Sequence, residues 1–188
     1  MDKYKELTTA GREAYLNALD KIDWFKTSKS SREEVKQKIE EAHCLDWLLF
    51  SIEDVAFDAE GFEDYSSYES VIKDFLNVAG IDAELTVEQI EEPYGAKIGI
   101  KTLSNTYSYS VNIEELGDWM DLEMIDTFIN NQVLAGENIE ARFWELPPID
   151  QGYRCVFAPP SIYQTAIAKG VIPEGDEGCF IMQELGLE

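Results

Sequence analysis

Residues 83–113 read AELTVEQIEEPYGAKIGIKTLSNTYSYSVNI. Apolar and polar residues alternate through the runs AELTVEQIEE, AKIGIKTL and TYSYSVNI, the period of two that sends successive side chains to opposite faces of a strand. PYG and SN separate the runs, which is the punctuation of an antiparallel meander. A sheet therefore occupies the middle of the chain.

On both sides of it the period changes. Leu7, Tyr15, Leu16, Leu19, Ile22 and Trp24 recur at mostly helical spacing from Asp2 to about Phe25, and SKSS ends that element and caps the next. SSREEVKQKIEEAHC is a helix with acids early, as the macrodipole favours, and Val35, Ile39 and Ala42 on its inner stripe. The bulky run DWLLFSI, residues 46–52, reads as a buried strand followed by a turn. SYESVIKDFLNVAG is a helix with Ser66 and Glu69 in capping-box spacing and Gly80 as its stop. WMDLEMIDTFINNQVLAGE returns to helical spacing and is expected to stop at Gly136. ARFWELP and YRCVFAP supply two further strands, PSIYQTAIAKG a short helix, and the tail EGDEGCFIMQELGLE an edge strand or a surface segment. The expected class is α+β: N-terminal helices, then a mainly antiparallel sheet of about five to six strands with interspersed helices. We read residues 1–188 as one domain, with a helical portion over 1–44 and a sheet-containing body over 45–188.

Charge narrows the partners. The 188 residues carry a formal net charge of −23, and the distribution is uneven. The first 38 residues hold nine bases and seven acids, whereas the remaining 150 hold 31 acids and six bases. Phosphate binding needs Lys and Arg to displace counterions, so nucleic acid and anionic membrane are disfavoured, and a cationic protein is the partner such a surface would steer. Solubility alone is the competing explanation for an acidic surface. The apolar runs are too short to span a bilayer and the amphipathic N-terminus does not resemble a signal peptide, so a cytoplasmic location is expected. Cys44, Cys155 and Cys179 lack CxxC spacing and read as reduced thiols rather than zinc ligands or a disulfide framework.

No motif carries a catalytic signature. The stretch IEDVAFDAEGFEDYSSYE, residues 52–69, holds seven carboxylates and no base. Fitted to an EF-hand with Gly61 at loop position six, it puts Ala56 at position one and Ser67 at position twelve, so both end carboxylates are missing. PEGDEGC fails the same template and reads as a turn. His43 is the one histidine, and the side chain of neighbouring Cys44 points away from it on a helix, so a Cys–His pair would require Cys155 or Cys179 to approach across the fold. A helix-end histidine over the core, with buried free cysteines, is the simpler arrangement. GAKIGI has neither the spacing nor the context of a phosphate loop. No cofactor is indicated. Aromatic residues do recur beside acids, at EDYSSYES, TYSYS, GDWMD and ARFWE; most belong in strands or core, but an exposed Tyr or Trp beside carboxylates makes an anchor for a basic partner.

The order FDAEGFEDYSSY, GDWMDLEMIDTFINNQVL, RFWELPPIDQGYRCVFAPPSIY resembles small acidic bacterial proteins of the immunity type, which accompany polymorphic toxins. The likeness covers roughly residues 45–172, through short patterns. It implies a non-catalytic inhibitor of a toxin domain and points to Asp58, Glu60, Gly61, Tyr68, Asp118, Trp119, Asp121, Asn130 and Gln151. Among these, Asp118 would cap the following helix and Asn130 would satisfy buried backbone. Sequence and resemblance together lead to the expectation of an acidic binding protein, an immunity-like inhibitor of a cationic toxin or other basic protein. Its expected contact residues are Asp54, Asp58, Glu60, Glu63, Asp64, Tyr65, Tyr68, Asp118, Trp119 and Asp121. A carboxylate- or divalent-metal-dependent enzyme, and a domain with no tight partner, are the alternatives.

Overall fold

The computed structural model describes residues 2–148 and 150–174. In chain order the elements are α1 (Lys3–Thr9), α2 (Arg12–Lys21), a 3-10 turn (Trp24–Lys26), α3 (Arg32–Glu41), a 3-10 helix (Leu45–Ile52), β1 (Val55–Asp58), α4 (Ser67–Ala79), β2 (Glu84–Ile90), β3 (Gly95–Lys101), β4 (Thr106–Asn112), α5 (Ile113–Leu116), a π-helix (Ile125–Leu134), β5 (Arg142–Glu145), β6 (Gly152–Ala158) and α6 (Pro160–Ala168). The class is α+β as expected, but the six strands among the described residues form two antiparallel three-stranded sheets rather than one, in the orders β1-β6-β5 and β2-β3-β4. The chain gathers into two compact units, residues 1–56 with 144–188 and residues 57–143.

In the first unit the N-terminal segment is two helices, not one. Asp2 caps α1 by accepting the Lys5 N–H at 3.1 Å, and the chain then breaks at Gly11, whose φ of +101° only glycine adopts readily. Ser31 and Glu34 close a reciprocal capping box at the start of α3. At its other end the Arg12 guanidinium donates to the carbonyls of Ile39 (2.9 Å) and Ala42 (2.6 Å), putting positive charge on the negative end of the helix dipole. Tyr15, Leu19, Trp24, Val35, Ile39, Leu48, Leu49 and Ile52 share one core with Val156, Ala166 and Val171. Two phenols tie its loops: the Tyr15 Oη donates to the Val171 carbonyl at 3.0 Å, and the Tyr4 Oη donates to the Asp46 carbonyl and accepts the Leu49 N–H. Residues 45–52 correct the expected strand. They form a 3-10 helix that buries Leu48, Leu49 and Ile52, and the strand β1 begins only at Val55.

In the second unit the alternation of residues 83–113 becomes β2-β3-β4. Leu85 faces Ile100, Val87 faces Ile98, Ile98 faces Tyr109 and Ile100 faces Tyr107, so one sheet face is apolar. Phe75, Phe128, Ile72, Ile98 and Ile129 are buried in this unit's core. Helix α4 ends at Gly80 in the left-handed region, as expected. Its start differs: Ser66 makes no side-chain cap, and Asp64 instead accepts the Ser66 N–H at 2.8 Å. The second long helix runs through Gly136 and stops on Asn138, which takes φ +58° while the Ile139 N–H donates back to Leu134. Gly136 serves packing instead, because a Cβ there would meet the Tyr107 ring at 2.8 Å. Cys179 and the expected edge strand of the tail fall in residues 175–188, outside the described residues.

Candidate interaction surface

Two acidic stretches far apart in sequence meet in the second unit. Glu60 and Trp119 form an isolated antiparallel bridge, with the Phe62 N–H donating to the Asp118 carbonyl at 2.7 Å and the Met120 N–H to the Ala59 carbonyl at 2.8 Å. The loop after β1 is shaped for this. Asp58 accepts the Glu60 N–H at 3.0 Å, and Gly61 takes φ +89°. Phe62 then turns inward, 5.1 Å from the ring of Tyr68 and 6.1 Å from that of Phe57, which anchors the loop on an aromatic core.

Outward, the paired stretches expose both carboxylates and apolar side chains. Asp58, Glu60, Glu63 and Asp64 are exposed, Asp118 is half-buried, and Trp119 and Leu122 keep 44% and 37% of their surface in solvent. Residues 57–143 hold 19 acids against four bases, so no large cationic group offsets them within the unit. Asp64 is held below the usual carboxylate range by the Ser66 backbone N–H and side chain.

Behind the surface the groups are structural. Tyr68 is fully buried; its Oη accepts the Asp121 N–H at 3.2 Å, and burial pushes its phenol up to about 12. The Asp121 carboxylate accepts from the Tyr109 Oη at 2.9 Å, and Tyr109 stacks on Phe128 with centroids 5.2 Å apart. Burial, followed by the bond to Asp121, raises the Tyr109 pKa. Asp121 therefore points part of its charge back into the fold, and Tyr68 contributes from beneath rather than by contact.

The expected contact set thus divides. Asp58, Glu60, Glu63, Asp64, Asp118 and Trp119 lie on the paired stretches; Tyr65 and Asp121 are half-buried; Tyr68 is buried. Asp54 belongs to the first unit, where its Oδ2 accepts the Phe157 N–H at 2.8 Å and burial raises its pKa to about 6. Asp118 does not cap the next helix, whose N-cap Met124 has no side-chain bond; its carbonyl serves the bridge. Asn130 fulfils the backbone role expected of it, bonding both polar groups of Phe143. Gln151 is half-buried in the turn before β6. Leu122 carries no signal for this surface in the sequence, whereas Tyr109 sits in the aromatic run TYSYS.

Other chemistry is sparse. His43 is exposed and lies edge-on to Trp47 at 6.2 Å, Cys44 is half-buried, and burial raises the Cys155 thiol well above its ordinary value. Among the described residues no three His, Cys, Asp or Glu side chains gather as a metal site, and no helix is long and apolar enough to cross a membrane. Comparison with protein-family models, curated proteins and solved structures returned no match.

Proposed function

We propose that the chain is a non-catalytic acidic binding protein, and that the surface built by the Glu60–Trp119 bridge docks a basic protein in the manner of an immunity-type inhibitor covering a cationic toxin. The observation that carries this reading is Trp119, left exposed at 44% on a stretch paired with the acidic loop after β1 and fixed by backbone bonds on both sides. A large rigid aromatic supplies area at low conformational cost, and carboxylates on the paired stretches accelerate encounter and reject anionic competitors. Burial of Phe62 and Tyr68 behind it supports a pre-formed surface, so little ordering is needed on binding.

The test is capture of a tagged copy's partners from lysate of its source organism, with graded salt washes and mass spectrometry. Retention of one basic protein through the high-salt wash, with an association rate that falls as salt rises, is the expected result. Loss of all bound protein on raising salt would contradict it.

A further inference from the structure

Among the described residues strand β2 is an edge: the order β2-β3-β4 gives it β3 on one side and no described strand on the other. Among the described residues no backbone group of Glu84–Ile90 bonds to anything outside that sheet, and no residue of the strand is buried, although Leu85, Val87 and Ile90 are apolar. An uncovered row of N–H and C=O groups is a template for another strand. The register fixes what such a strand must carry. On the outer face the cross-strand rows read Glu84–Lys101–Thr106, Thr86–Gly99–Ser108 and Glu88–Lys97–Ser110. A strand added beside β2 continues these rows, so it meets Glu84 and Glu88 four residues apart with the small Thr86 between them. On the other face it meets Leu85 and Val87, both half-exposed.

We propose that this edge accepts an extended segment of a basic protein by strand addition, with the alternation basic, apolar, small polar, apolar, basic. Cations at the two ends extend the outer rows as plus, minus, plus, and apolar residues cover Leu85 and Val87. A second copy of β2 fits poorly, because antiparallel self-pairing about Thr86 sets Glu84 against Glu88. The flanking Asp82, Glu91 and Glu92 add to the same preference. The proposal uses neither Trp119 nor the Asp58–Asp64 loop and stands apart from the surface described above.

The probe is a short labelled peptide with the core Lys-Val-Ser-Val-Lys, titrated by fluorescence anisotropy and followed by amide deuterium exchange. Saturable binding, slowed exchange confined to Glu84–Ile90, and at least tenfold weaker binding to E84K/E88K are expected. N-methylation of all the core peptide amides, which keeps the charge but removes the donors of both edges, must abolish binding. Equal affinity of the N-methylated peptide, protection at residues 58–64 or 118–122 instead, absence of binding, or protection of β2 by raised protein concentration without peptide would each overturn the proposal.

Discussion

Asn130, inside the π-helix, satisfies both backbone polar groups of Phe143: its Nδ2 donates to the Phe143 carbonyl at 3.0 Å and its Oδ1 accepts the Phe143 N–H at 2.9 Å. Both residues are buried, so no solvent replaces these bonds. Asn130→Ala removes two buried hydrogen bonds at once and is expected to lower unfolding free energy by about 2–4 kcal/mol. Urea denaturation measures this; a change below about 1 kcal/mol would show that the pair is not the tie described.

Trp119→Ala separates binding from folding. The side chain keeps 44% of its surface in solvent and the bridge to Glu60 uses backbone atoms alone, so truncation loses only the covered part of the ring and should cost about 1–2 kcal/mol while leaving a cooperative fold. A loss above about 4 kcal/mol, or the absence of a cooperative melt, would place Trp119 in the fold rather than on its surface.

Tyr68→Phe removes the acceptor of the Asp121 N–H while keeping the ring against Phe62. A loss of about 1 kcal/mol is expected, with native ring packing retained in near-ultraviolet circular dichroism.

Asp54 gives the first unit a pH dependence. Burial lifts its folded-state pKa from 3.8 to about 6, against the opposing bond from the Phe157 N–H. With the folded pKa above the unfolded one, the protonated form favours folding: this contribution is complete below pH 4 and is lost as pH rises from about 4 to 6, amounting to roughly 2–3 kcal/mol. Measured between pH 4 and 7, the stability of the native chain relative to Asp54→Asn should therefore fall as pH rises. A flat difference would contradict the burial of that carboxyl.

Gly170→Ala tests a close approach. The residue takes φ +73°, and a Cβ would lie 2.6 Å from the Lys3 carbonyl carbon. Strain and collision together should cost about 2–4 kcal/mol, read as a lowered melting temperature.

The hairpins were legible because alternation over Glu84–Asn112 admits one period and PYG and SN mark the turns. Leu45–Ile52 was not, since a short apolar run buried on most sides has no period to distinguish a strand from a tight helix. Gly11 and Asn138 were visible as residues, but whether each breaks or ends a helix depends on a positive φ that spacing does not report. At the candidate surface both acidic stretches stand out, yet the pairing of Glu60 with Trp119 spans a long sequence gap that composition does not bridge. The inward turn of Tyr68 and the shift of Asp54 into the first unit follow from packing and were equally hidden.

The most direct measurement is side-by-side capture from the same lysate with the native chain, Trp119→Ala and Glu60→Lys, each washed at high salt. The account predicts one basic protein on the native chain and its loss from both variants, with both variants still melting cooperatively above the capture temperature. Equal retention by all three, or no retained basic protein on the native chain, would contradict it.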